Sequence, residues 1–223
     1  MISSKFFFEI LKQVAIKNND ELITFFEITT AAAFVAFSIV KSDLCIIETG
    51  LGGRLDATNI LEKKDLIVIT NIGYDHKEFL GNTLKNIIFE KCGILIKDTP
   101  VVIAEQNSNY ISQMIKKYAL KKNNQVLKLS HIPKNWKLGL EGTHQYQNAE
   151  NALTVVKHLY KKIDTLTIQN GLNNTKWPGR LERIKNGKLI HGRKCITLID
   201  GAHNLNGAKI IKSYLNNYNK KKI

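Results

Sequence analysis

A carboxylate, an imidazole and a glycine-rich turn sit where short apolar runs end, which is the arrangement of a metal or phosphate site. The run Leu44-Cys-Ile-Ile47 leads into Glu48-Thr-Gly-Leu-Gly-Gly-Arg-Leu-Asp-Ala-Thr-Asn59, so a buried strand is expected to deliver Glu48 at its carboxyl end. The run Leu66-Ile-Val-Ile-Thr70 leads into Asn71-Ile-Gly-Tyr-Asp-His76. In open α/β sheets ligands collect in the crevice beyond such strand ends. A third run closes in Asp200-Gly-Ala-His-Asn204. Each residue also has a plain structural reading. Glu48 suits a capping or salt-bridged acid, His76 a loop histidine, and Asp200 and His203 the cap of a following helix. No Gly-x-x-x-x-Gly-Lys-Ser/Thr loop occurs in the sequence, so a phosphate loop of that type is not among the candidates.

The elements that must hold these residues alternate. Apolar spacing predicts a helix over 6–14, broken at Asn18-Asn-Asp20, and an alanine-rich helix over 29–40 that is apolar nearly all round and therefore expected to be buried. Strands are expected at 44–47, 66–70, 101–104 and 126–129. Helices are expected from Thr83 to about Cys92 with Gly93 closing it, over 108–122, and from Thr143 to Tyr160. Strands alternating with helices imply a mainly parallel sheet covered on both faces. After Trp177-Pro-Gly-Arg180, a strand over Cys195–Ile199 and a helix from Gly207 to about Asn217 read as the beginning of a second unit.

With 43% hydrophobic residues in 223, the chain can bury a core. No apolar run approaches a membrane span and no secretory signal is evident, so a cytoplasmic protein without membrane contact is expected. The three cysteines, Cys45, Cys92 and Cys195, are too scattered for a disulfide framework or a zinc site. The net charge of +14 comes almost wholly from lysine, with only Arg54, Arg180, Arg183 and Arg193 as arginines. Base readout leans on arginine forks, so no nucleic-acid partner is expected, although phosphate-bearing ligands would be attracted.

Five segments together resemble folylpolyglutamate synthase/dihydrofolate synthase, within the Mur ligase superfamily of ATP-dependent amide ligases. They are the two long motifs above (the second running on to Gly81), Phe25-Phe-Glu-Ile-Thr-Thr-Ala-Ala-Ala-Phe34, Trp177-Pro-Gly-Arg-Leu-Glu182 and Asp200-Gly-Ala-His-Asn204. The resemblance runs from about residue 5 to 218. It implies that a folate or dihydropteroate carboxylate is phosphorylated by ATP and that L-glutamate displaces phosphate to form an amide. Glu48 and His76 match the family's magnesium ligands, and Lys91 its carbamate-bearing lysine. Asn148 matches its adenine-contacting asparagine, Arg180 the arginine that reaches ATP phosphates, and Asp200 a nucleotide-contacting aspartate. His203 is a weaker candidate for supporting the transition state. ATP and Mg2+ are the implied cofactors.

The implied fold is α/β: a Mur-ligase central ATP-binding domain over 1–175, without its phosphate-loop strand, then a linker and the first strand and helix of a Rossmann-like domain over 176–223. The sequence departs from the family where its phosphate loop and most of its carboxy-terminal domain would lie, so it reads as truncated at both ends. The expectation is a ligase fragment that needs those parts, supplied in a longer frame or by a second chain. A non-catalytic remnant or nucleotide- or partner-binding module is the alternative. A ligase of peptidoglycan precursors fits less well, because the Gly-Leu-Gly-Gly-Arg-Leu-Asp-Ala-Thr-Asn run is of folate type.

Overall fold

The structure is a computed structural model that describes residues 2–188, 190–192 and 196–216. Helix α1 (Ser4–Asn18) begins where Ser3 accepts the Phe6 N–H and ends at Asn19, whose left-handed backbone stops it at the Asn-Asn-Asp break. Helix α2 (Phe25–Ile39) starts with a reciprocal cap between Thr24 and Glu27. The two pack through Ile10, Val14, Ala32 and Ala36. The expectation that the helix over 29–40 is buried all round does not hold, since Phe37 is 41% and Ile39 53% exposed. Apart from α1 and the 3-10 turn Ala57–Ile60, little covers it, so only one stripe is shielded.

The central core forms around β1 (Ile67–Ile69) and β2 (Val101–Ile103), which pair in parallel with Ile67 opposite Val101. Between them run α3 (Lys77–Leu80) and α4 (Leu84–Cys92), and α5 (Asn109–Lys121) follows β2. Strands made almost wholly of Ile and Val are what a sheet covered on both faces selects. Ile87, Ile88, Val101 and Ile115 are fully buried, each stabilising by roughly 1.5–3 kcal/mol. The expected strand over 126–129 contracts to one parallel bridge, Val126 to Val101.

The expected strand over 44–47 is not formed. A strand exists through its ladder, and no described segment pairs with this one. Leu44, Cys45 and Ile46 are exposed, Ile46 at 85%, and Ile47 is half-buried. Glu48 therefore follows an unpaired segment rather than a sheet strand.

Helix α6 (His144–Leu159) matches its expected span, and Ala149 and Leu153 pack on Ile132. Helix α7 (Thr165–Asn174) was not expected; Asp164 caps it by accepting the Thr167 N–H. The last elements are β3 (Glu182–Ile184), β4 (Thr197–Ile199) and α8 (Leu205–Asn216). Strand β4 realises part of the expected 195–199 run and pairs antiparallel with β3, a strand not anticipated. Cys195, Arg193 and the expected helix end at Asn217 lie outside the described residues.

Candidate functional site

The glycine-rich turn after Glu48 is tied to itself and to α4. Asp56 accepts the Leu51 N–H at 2.7 Å and the Thr58 N–H at 2.9 Å, closing the loop. Gly52 (φ +66) and Gly53 (φ +155) take backbone positions that side chains resist. Arg54 lies along α4, its guanidinium on both Glu90 oxygens and its N–H on the Glu90 carbonyl at 2.8 Å. Gly93 was expected to close α4. It does cap the helix, in ordinary right-handed geometry (φ −62), and a Cβ there would lie 2.2 Å from Arg54 Cβ. Close approach is the reason for glycine here.

The next residue after Glu90 is Lys91, on the last turn of α4 and half-buried. Burial draws its ammonium below the ordinary lysine value, and Asp75 pulls the other way. Asp75, in the loop after β1, thus acts on Lys91 electrostatically. Burial opposes the Asp75 carboxylate, but the Asn204 hydrogen bond, His76 and His203 outweigh it and hold its pKa below the usual range.

That loop docks on the segment after β4. Asn204 donates to Asp75 at 2.9 Å across 129 positions of sequence. His76 has a left-handed backbone (φ +46) at the N-terminus of α3, and its ring lies 6.4 Å from that of His203. One ligand atom each from Asp75, His76 and His203 falls within 4.8 Å of the others. His203 donates from Nδ1 to the Gly201 carbonyl at 2.9 Å, which leaves Nε2 as the lone-pair nitrogen. Glu48 is not in this convergent group and stands at the rim of the adjoining cavity.

The cavity has a volume of about 450 Å³, and Glu48, Asn148, Arg180, Asp200 and His203 all line it. Asp200 shapes one wall. Its carboxylate accepts the Leu181 and Ala202 N–H groups, both at 2.8 Å, joining the Arg180 corner to the end of β4. The start of α6 contributes His144, Gln145 and Asn148 to the lining. Burial lowers the His144 pKa; Asp200 opposes this and Arg180 adds to it. A second hollow, about 570 Å³ beside Leu159–Ile163, carries none of these groups. Of the residues singled out in sequence, five meet at the cavity, while His76 lies beside Asp75, whose charge also bears on Lys91. Asp75, His144 and Gln145 were missed. Their only sequence signals were adjacency to His76 and a place in the helix start that carries Asn148.

Residues 4–174 match the family described as Mur ligase middle domain. The chain belongs to that family. Among curated relatives, the probable dihydrofolate synthetase of Schizosaccharomyces pombe is 34% identical over 86% of this chain and 50% of its own length. The dihydrofolate synthase/folylpolyglutamate synthase of Haemophilus influenzae is 37% identical over 77% of this chain and 42% of its own. A structure of Mycobacterium tuberculosis folylpolyglutamate synthase, complexed with ADP and AMPPCP, superposes with a TM-score of 0.81 at 27% identity, covering 96% of this chain and 55% of that one. The chain thus spans about half the length of the relatives it matches. The Mur ligase fold implied by the five motifs is the fold found. Among the described residues, no helix is long and apolar enough to cross a membrane.

Proposed function

We propose that this chain is the ATP-binding central part of a ligase that adds glutamate to a folate or dihydropteroate carboxylate through an acyl phosphate. The reading rests chiefly on one observation: Glu48, Asn148, Arg180, Asp200 and His203, scattered over 156 positions of sequence, line one cavity. Asn148 presents an amide that can donate to and accept from a purine edge. Arg180 offers a planar fork suited to phosphate oxygens. The boundary near residue 175 and a cytoplasmic setting belong to the same reading. A second chain, or a longer frame, supplies the rest of the catalytic apparatus.

Magnesium suits the donors. The Asp75 carboxylate and the His76 imidazole would hold a cation that keeps part of its water shell, with Glu48, outside that convergent group, reaching it through that shell, and such a cation neutralises charge on phosphate oxygens. Lys91, made easier to deprotonate by burial, can add CO2 through neutral Nζ, releasing one proton and becoming a carbamate anion beside Asp75.

The metal assignment is tested with Mn2+ as a paramagnetic stand-in, followed by electron spin resonance in the presence of ATP. The wild-type chain is expected to bind Mn2+ with ATP, and a Glu48→Ala/His76→Ala variant to lose roughly tenfold or more in affinity. Equal binding by a folded variant would remove both residues from the metal site.

A further inference from the structure

Glu141, in the loop ahead of α6, gathers donors from two elements far along the chain. Arg183, on β3, sets its guanidinium across both carboxylate oxygens, with Nε 2.6 Å from Oε1 and Nη2 3.1 Å from Oε2. Tyr214, on α8, donates its hydroxyl to the same Oε2. Burial opposes the charge on Glu141, but the Tyr214 and Arg183 bonds outweigh it and hold its pKa below the usual carboxylate range. An exposed ion pair alone contributes little. A two-pronged guanidinium with a phenol on the same carboxylate also fixes position.

Glu141, Arg183 and Tyr214 do not line the cavity, yet each has a neighbour that does. Leu140 directly precedes Glu141. Arg180 lies just ahead of Arg183, across the buried Leu181. Ile210 lies one helical turn before Tyr214 and so on the same face of α8. Helix α8 is thus fastened near both ends. Asn204, just ahead of it, donates to Asp75, and Gly73 packs so closely on Asn206 that a Cβ would overlap the Asn206 amide. Tyr214 on Glu141 ties the last turn. Gly207 and Ile210, which line the cavity, lie between these attachments.

We propose that Glu141 is a positioning residue for the ligand of this cavity, holding Arg180 and Ile210 in place through Arg183 and Tyr214 without touching the ligand. The proposal rests on the reading of the cavity as a nucleotide site. A wall in place for only a fraction of the time lowers apparent affinity by that fraction. Breaking one bond of the cluster is therefore expected to weaken ATP binding about three- to tenfold. Charge alone predicts the reverse. Glu141 is an anion beside a cavity that receives an anion, so neutralising it with nothing displaced would tighten binding. Glu141→Gln separates the two effects by sign, and Tyr214→Phe changes no charge.

The experiment measures the ATP dissociation constant, with magnesium, for the full chain and for Glu141→Gln, Tyr214→Phe and the double variant. Amide hydrogen exchange of each is followed without nucleotide. Each single variant is expected to bind ATP about three- to tenfold more weakly and to exchange faster across α8 by a similar factor, with α4 and α5 exchanging as in the wild type. A general loss of stability would speed α4 and α5 as well. The double variant is expected to lose less than the product of the two single losses, since both changes break one cluster. ATP binding unchanged or tightened in the folded variants would overturn the positioning role while leaving the nucleotide site standing. Failure of the folded wild type to bind ATP would overturn the site reading and this role with it.

Discussion

Asp200→Ala lowers both the stability of the chain and its affinity for nucleotide. The carboxylate accepts the N–H groups of Leu181 and Ala202, both at 2.8 Å. Leu181 is only 3% exposed and has a left-handed backbone (φ +47) that a branched side chain resists. Asp200 holds that corner in place. Alanine leaves the two N–H groups without their acceptor, at about 1–3 kcal/mol for each that stays dry, so a loss of about 2–4 kcal/mol is expected. Arg180 shares the corner, and its displacement is expected to weaken ATP binding at least tenfold, a loss of about 1.4 kcal/mol or more. Asp200→Asn retains one acceptor oxygen and is expected to lose about half as much stability. Urea denaturation and nucleotide titration of the two variants check this. An alanine variant as stable as the wild type would show that the corner holds itself.

Gly93→Ala destabilises the chain although helix propensity predicts the opposite. At φ −62 alanine fits the backbone, and intrinsic preference favours it by about 1 kcal/mol. The added Cβ would lie 2.2 Å from Arg54 Cβ and 2.5 Å from Arg54 Cα. Backbone cannot yield as a side-chain tip does, and overpacking of this kind costs typically about 1–3 kcal/mol. The clash outweighs the propensity gain, so a net loss of up to about 2 kcal/mol is expected. It also pushes the glycine turn off α4, separating Arg54 from Glu90 beside Lys91. Gly171, inside α7 with nothing near its missing Cβ, supplies the contrast. There alanine is expected to stabilise by about 0.5–1 kcal/mol. Thermal unfolding of the pair checks the sign. A stabilised Gly93→Ala chain would mean that the turn and α4 do not meet so closely.

The parallel pair and most of the helices were legible because burial on two faces, or on one stripe, writes itself into residue periodicity. Ile67–Ile69 and Val101–Ile103 are such runs. The 44–47 segment has the same composition but no ladder, since composition records a preference for burial and not the presence of a neighbour. The same gap explains α2, whose apolar residues were readable but whose covering elements were not. Helix α7 and strand β3 escaped notice for another reason: one is rich in Thr and Asn and the other has three residues, so neither carries a strong period. The candidate site was visible through motif resemblance. Its supporting contacts were not, because Asn204 on Asp75 and Asp200 on Leu181 join positions far apart in sequence.

The most direct measurement is a calorimetric titration of the purified chain with magnesium and ATP, beside Asn148→Ala and Arg180→Ala variants of verified fold. Saturable binding by the wild type, weakened about tenfold or more in each variant, is the expected result. Absence of saturable binding in a folded wild-type chain, or binding that neither substitution changes, would contradict the assignment of the cavity between α6 and the end of β4 as the nucleotide site.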